Sequence, residues 1–579
     1  MQLQGLTKVK QVAKALHIKV QERRDYKTKK RIRSMYGVNC PLREYSGDLG
    51  VTCHNGTFVG LKKDDVISYK GIPYAIQPVG KLRWKPSKLA PDNNGIYEAY
   101  YFGKSSIQTE VDSELASYYM QGEDCLSLNV WVNSKNTDKK KPVMVFLPGG
   151  AYGWGGTADP LYNGHNLVKK FDDIILVTVN YRTGLFGFID FSSVEGGERF
   201  KESGNLGLLD QVTALKWVQK NIAAFGGDPD NVTVFGESAG AGSVSLLMVL
   251  PIGEGLFKRV IAESGAVALT FSREECKLLT EKLLKESGCR NMKELMALSE
   301  EKLKELNRRL NAFNNFPERD DVIIPSDIRE LYYTSRGKDV DFMTGTNADE
   351  SHYWVHEIGG YHLYKYSVPI MYENNMKMVT SKVDRRRIKN FMQDVEGDLT
   401  ERYSEFFDET MFRMPAIEMA ENHARFGGNT YMYYWTYPSA LPHMGACHAV
   451  ELAYVFNNLN ETIYTGDNID ENLADTVQNM WVNFARCGNP STESITWEKY
   501  DESRKTLILD SEIAIIEDPL ARQRKLLKSL IVEYPFNATY MSMSFKVPTV
   551  YKYLTIAALV VGIPITASML TFRLILNRK

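Results

Sequence analysis

Apolar positions along the first half of the chain fall into two rhythms. Short, almost continuous apolar runs recur in "CLSLNVWV", "KPVMVFLP", "DDIILVTVNY" and "NVTVFG". Runs of that length and β-branched content predict strands buried on both faces. "VISYKGIPYAI" predicts a strand followed by a turn. "GLLDQVTALKWVQKNIAAFG" spaces its apolar residues as one face of a helix and stops at Gly226, and "KLLTEKLLKESG" also reads as a single helix. Strand, helix and strand at this spacing predict a mostly parallel central sheet with helices on both faces. No internal repeat or low-complexity linker interrupts residues 46–540, which read as one large domain.

The two ends break the rhythm. Residues 1–45 hold twelve Lys/Arg against three Asp/Glu, including "KTKKRIR" from Lys27 to Arg33. Such a basic extension is a solvated arm or a contact for an anionic membrane surface. The first thirty residues carry no apolar run of seven, so no secretory signal peptide is expected. Near the other end, "YLTIAALVVGIPITASMLTFRLIL" (553–576) runs twenty residues without a charge before Arg573. Twenty helical residues span roughly 30 Å, a hydrocarbon core, so a transmembrane helix is expected over 553–576 after a juxtamembrane linker at 541–552. With the basic N-terminus on the positive side, the expected topology is a single-pass tail anchor with a cytosolic main domain.

The net charge of −1 over 579 residues gives no electrostatic footprint for nucleic acid. Seven cysteines form neither a disulfide framework nor a metal motif, so reduced thiols and no disulfide are expected.

The chemistry concentrates in "NVTVFGESAGAGS" (231–243). Gly236-Glu237-Ser238-Ala239-Gly240 fits G-x-S-x-G, a sharp strand-to-helix turn that exposes a serine hydroxyl. Side chains two positions either side would collide with neighbouring elements, hence the glycines, and the helix N-terminus would aim the Ala239 amide at a developing oxyanion. Small-residue turns between strand and helix are common, so the pentapeptide by itself also suits an inert turn.

Longer stretches resemble the type-B carboxylesterase/cholinesterase family. "FGGDPDNVTVFGESAGAGSVSLLMVL" is similar to its serine signature and "GEDCLSLNVWV" to its second signature. "YKGIPYA", "VTVNYRTGLFGF", "GNLGLLDQ" and "WVNFARCGNPS" follow in the family's order, over about residues 50–515. The resemblance implies an α/β-hydrolase fold, hydrolysis of carboxylic esters with a small-molecule ester as substrate, and no cofactor or metal.

It also implies a triad. His448 lies in "GACHAVELAYVF", similar to the family's catalytic-histidine segment, whereas His443 lacks that context and reads as a loop residue. "GTNADESHYW" places Glu350 as the acid, beside Asp349 at a non-catalytic position and near His352 and His356, which read as pocket lining or surface. The order Ser238, Glu350, His448 is the α/β-hydrolase order.

The segment "FLPGGAYGWGG" departs from the family's His/Tyr-plus-three-glycines pattern. The implied oxyanion donors are the amides of Gly150, Ala151 and Ala239, and Ala151 would be strained if its position needs positive φ. Tyr152 and Trp154 could wall the acyl pocket or simply pack, and Glu237 could tune the site or brace the turn. Relatives in oxidising compartments bridge the Cys125 position to a cysteine that Ser105 and Ser106 replace here. Leu115, with Tyr118 and Tyr119 nearby, stands where cholinesterases hold choline on a tryptophan, so choline specificity is not expected. The expectation is a serine esterase tethered to a lipid bilayer. Amide, thioester or lipid hydrolysis on the same fold is the alternative, and a non-catalytic adhesion relative the more distant one.

Overall fold

The computed structural model describes residues 37–108, 120–135, 139–310, 315–356, 360–467, 469–534 and 536. The expected membrane helix (553–576), its linker and most of the basic extension lie outside the described residues, as do Leu115, Tyr118 and Tyr119. Among the described residues, no helix is long and apolar enough to cross a membrane.

An eleven-stranded sheet forms the centre. In chain order its strands are β1 (Leu61–Lys63), β2 (Val66–Pro73), β3 (Ser127–Asn133), β4 (Lys141–Leu147), β5 (Ile175–Val179) and β6 (Gly227–Glu237). They continue with β7 (Arg259–Glu263), β8 (Asp341–Asn347), β9 (Thr430–Trp435), β10 (Lys505–Leu509) and β11 (Ala514–Glu517). Their spatial order is β11-β10-β9-β8-β7-β6-β4-β5-β3-β2-β1.

The seven strands from β10 to β5 pair in parallel, and the flanking pairs are antiparallel. The mostly parallel sheet expected from the apolar runs is therefore its middle. There the strands are buried on both faces, as β5 and β7 are at every residue, because helices cover each side. Helix α1 (Leu206–Asn221) precedes β6, and a 3-10 turn after it ends at Gly226 with φ 83°, the left-handed stop expected at that glycine. Helix α2 (Ala239–Val249) follows β6 directly, with all its residues buried. Helix α3 (Glu471–Cys487), capped by the Asp470 side chain, packs against β4 and β6.

The functional geometry follows from this topology. β6 lies between β4 and β7, and β8 and β9 continue the parallel run. Loops leaving the carboxyl ends of β4, β6, β8 and β9 therefore emerge along one edge, where open parallel sheets place their ligands.

Candidate active site

At the end of β6, Ser238 adopts φ 59° and ψ −120° before α2 begins at Ala239. A non-glycine residue there carries backbone strain of about 1–3 kcal/mol and persists only where its surroundings over-determine it. Here the Ser238 N–H donates to the Glu263 carbonyl on β7 at 2.8 Å, and the Ser238 carbonyl accepts from Gly242 N–H at 2.9 Å. The flanking glycines are sterically required. A methyl on Gly240 would come within 1.9 Å of the Leu147 carbonyl oxygen, and one on Gly236 within 2.6 Å of the Gly240 carbonyl carbon. The collisions expected from the motif spacing are thus with the end of β4 and the first turn of α2.

Glu350 sits in the turn after β8, fully buried. Its Oε1 accepts the Asn347 backbone N–H at 2.9 Å, and its Oε2 lies 2.5 Å from His448 Nδ1. Asp349 holds the histidine loop, accepting the Ala446 N–H at 2.8 Å, while His443 lies on an exposed stretch of that loop. The imidazole is packed by Trp354 and Phe412, with ring centroids 4.8 and 4.9 Å away.

The other face of the imidazole differs from the simplest triad picture. His448 Nε2 lies 2.9 Å from Glu237 Oε1, an ion-pair contact whose alignment falls short of a hydrogen bond. The Ser238 hydroxyl makes no hydrogen bond among the described residues. The physical reason is charge, since a carboxylate attracts an imidazolium more strongly than a neutral hydroxyl does. Of the two roles open to Glu237, tuning the site or bracing the turn, this contact with His448 favours the first. Glu237 lines the pocket and meets the imidazole.

Burial pulls the His448 pKa down, but Glu237 and Glu350 outweigh it and raise the imidazole well above the ordinary histidine value. Burial in turn raises the Glu237 carboxyl, against the pull of His448. A general base must be neutral, so with His448 in that role the acid limb of kcat/KM should lie above pH 6.5, the rate climbing as pH rises through the raised pKa. In Glu237→Gln one of the two flanking charges is gone, and the acid limb is expected to move down by about 1–3 pH units. A pH profile with an activated aryl ester reads this directly; an unmoved limb would show that Glu350 alone sets the imidazole.

Past β4 the chain turns through Pro148 and Gly149 to Gly150 (φ 110°), Ala151 (φ 48°) and Tyr152 (φ 55°). The Gly150 carbonyl accepts from Gly153 N–H and Trp154 N–H at 2.9 and 3.0 Å, and the Pro148 carbonyl accepts from the Tyr181 hydroxyl at 2.6 Å. A methyl on Gly149 would lie 3.1 Å from Ser238 Cβ, so the loop closes tightly over the serine. The amides of Gly150, Ala151 and Ala239 bond to no acceptor among the described residues. Ala151 does occupy the left-handed region, as feared from its sequence position. Ala151→Gly should therefore relieve up to about 1 kcal/mol of strain while keeping the amide. The expected result is a slightly higher unfolding midpoint with kcat/KM within a few-fold of the parent; a hundredfold loss would mean that the methyl itself shapes the site.

The pocket over Ser238 measures about 60 Å³ and is walled by Trp154, Tyr162, Tyr353, Trp354, Tyr464 and Asp159, with Glu237 and His448 beside the serine. Of the pair for which wall and packing were both open, Trp154 lines this pocket and Tyr152 packs in the core. Two successive left-handed residues turn Tyr152 inward, where it is fully buried against Phe188 and Phe316. His352 is likewise replaced at the wall by its neighbours Tyr353 and Trp354, and the side chain of His356 lies outside the described residues. The aromatic pair three and four residues after Glu350 is a readable signal. Phe412 left none, because it comes from a distant helical turn (Glu409–Arg413).

Beneath the site, the Asn347 side chain donates to the Glu451 carboxylate at 2.6 Å and to the Cys447 carbonyl at 2.9 Å, linking the β8 end to the histidine loop. Burial, with Glu237 and Glu350 nearby, pushes Glu451 up to about 8. Among the described residues, no group of three or more His, Cys, Asp and Glu side chains is arranged to hold a metal ion.

Known proteins carry the same pattern. The model of the carboxylesterase family matches residues 48–525. Para-nitrobenzyl esterase of Bacillus subtilis is 34% identical over 497 residues, 82% of this chain and 97% of that protein. Liver carboxylesterase 1F of Rattus norvegicus is 28% identical over 508 residues, 78% of this chain and 88% of that protein. Among solved structures, the Geobacillus stearothermophilus carboxylesterase EST55 at pH 6.2 superposes with a TM-score of 0.74 at 29% identity, covering 83% of this chain and 100% of that one. A structure of PNB esterase gives a TM-score of 0.70 at 32% identity, covering 83% and 99%. With the family matched over most of its length and an esterase covered almost end to end, this chain belongs to the carboxylesterase family and is a carboxylic ester hydrolase with the α/β-hydrolase fold.

Proposed function

We propose that the enzyme works by serine acyl transfer through a covalent acyl-enzyme. The observation that carries this reading is the convergence of a strained serine at a helix N-terminus with a buried imidazole held by a carboxylate. His448 Nε2 takes the Ser238 proton as Oγ attacks the ester carbonyl, and Glu350 at Nδ1 fixes the tautomer and stabilises the imidazolium. The oxyanion that forms sits on the amides of Gly150, Ala151 and Ala239. As the tetrahedral centre collapses, the C–O bond to the alcohol breaks and His448 returns the proton to the leaving oxygen. Water then adds to the acyl-enzyme by the same steps in reverse, freeing the acid and the serine.

Trp154, Tyr353, Trp354 and Tyr464 around the serine support a hydrophobic ester as substrate. The twenty uncharged residues 553–572 support tethering of the enzyme to a bilayer, with the catalytic domain on the cytosolic side. Protease protection in intact vesicles tests that placement, and a catalytic domain shielded in the lumen would refute it.

Partitioning tests the acyl-enzyme. With methanol present, the ratio of methyl ester to free acid should be the same for phenyl and p-nitrophenyl esters of one acid, since both pass through a common intermediate. A ratio that follows the leaving group would contradict the covalent mechanism. The same assay across acyl chain lengths defines the preferred substrate.

A further inference from the structure

A basic face lies beside the last described residues. The helix Lys382–Asp394 carries five cations against two acids, and the helix Ala521–Leu527, packed against it, carries three cations and no acid. Lys382, Arg386 and Lys389 recur at helical spacing on one exposed stripe, with Arg385 alongside and Lys525 exposed on the second helix. The first helix turns its apolar side inward, where Ile388, Phe391 and Met392 are buried.

This face differs from ordinary solvated surface. Among the described residues, no carboxylate lies within ion-pair distance of Lys382, Arg385, Arg386, Lys389 or Lys525. The acids of the first helix are committed elsewhere, Asp384 to Arg387 at 3.0 Å and Asp394 to Arg522 at 2.6 Å. The charges also oppose the helix that carries them. Lys382, Arg385 and Arg386 crowd its first turns and its last turn has no basic residue, whereas a helix dipole favours the reverse. Helix stability therefore does not account for them. Val383, 70% exposed, adds an apolar side chain at the same end.

Position supplies the partner. The Tyr534 hydroxyl donates to Asp384 at 3.0 Å, so the last described residues lie against the start of this helix. Sixteen residues separate Phe536 from the uncharged run that begins at 553, a span of at most about 60 Å. A globular domain of this length is about 60 Å across, and the path round it to the far side is about 90 Å. A tether that enters the bilayer at 553 therefore turns this face, and not the opposite one, toward the lipid.

We propose that this face docks on an anionic lipid surface, its five unpaired cations meeting phospholipid headgroups and Val383 entering between them. The choice of a membrane over other polyanions rests on the proposed tether. Docking then holds the catalytic domain in one orientation on the bilayer.

The test is lysine acetylation, mapped by mass spectrometry, on the full-length enzyme reconstituted into vesicles of phosphatidylcholine alone or with one-third phosphatidylglycerol. Lys382, Lys389 and Lys525 should react about fivefold more slowly on the anionic vesicles, and about 1 M salt, where the Debye length falls to about 3 Å, should restore them. Lys62, on β1 at the sheet edge opposite β11, should react equally on both. With Lys382→Gln, Arg386→Gln and Lys389→Gln combined, Lys525 should react on anionic vesicles at its neutral-vesicle rate, while hydrolysis of p-nitrophenyl acetate stays parental. Equal rates on the two kinds of vesicle, or Lys525 still slowed in the variant, would overturn the proposal. So would equal slowing on neutral vesicles, which would point instead to a second copy seated on this face. Flotation with neutral vesicles reads the tether separately. An enzyme that leaves them refutes the tether, and slowing of the three lysines on anionic vesicles would still establish the docking face.

Discussion

Ser238→Ala is expected to lower kcat on an activated aryl ester by about 10⁶-fold, leaving the residual catalysis of about 10³–10⁴ over water that an oxyanion site and substrate binding supply. Stability should barely change. The hydroxyl makes no hydrogen bond among the described residues, and the strain at φ 59° belongs to the backbone, which alanine inherits. A serine kept for structure would give the opposite pair of results, a measurable fall in unfolding midpoint and intact turnover. Thermal denaturation beside initial rates separates the two in one preparation.

The second large effect is expected at Glu350. Glu350→Gln keeps the volume and can still accept the Asn347 N–H, but it cannot accept at His448 Nδ1 without turning its amide. Either the imidazole takes the wrong tautomer or the contact at 2.5 Å becomes a clash of two donors. The expected loss is about 10⁴-fold in kcat. The contrast with Glu237→Gln is informative because the two carboxylates flank one ring, 2.5 Å from Nδ1 and 2.9 Å from Nε2. Loss of the first should remove turnover at every pH; loss of the second should move the pH limb and leave the maximum largely in place. If the effects were exchanged, Glu237 and not Glu350 would be the orienting acid.

The sequence made the centre of the sheet and the turn at Ser238 legible because both rest on short-range rules. A strand buried on both faces needs a continuous apolar run, as in β5, and a backbone crossing between β4 and α2 needs glycine at 236 and 240. Strand direction is not a short-range property, so the antiparallel edges were invisible. Tyr152 and Trp154 show the same limit on a smaller scale, since two left-handed residues decide which ring faces substrate. The contact between His448 and Glu237 was hidden for another reason. It depends on a charge balance among groups from β6, the turn after β8 and the loop after β9, which meet only in the fold.

The central claim is that Ser238 is a live nucleophile served by His448. The most direct measurement is reaction of the intact enzyme with a fluorophosphonate, followed by mass mapping of the adduct. One phosphonyl group per chain is expected, on Ser238, with labelling that slows as pH falls below the raised histidine pKa and disappears in Ser238→Ala. Labelling elsewhere, or equal labelling of Ser238→Ala, would contradict it.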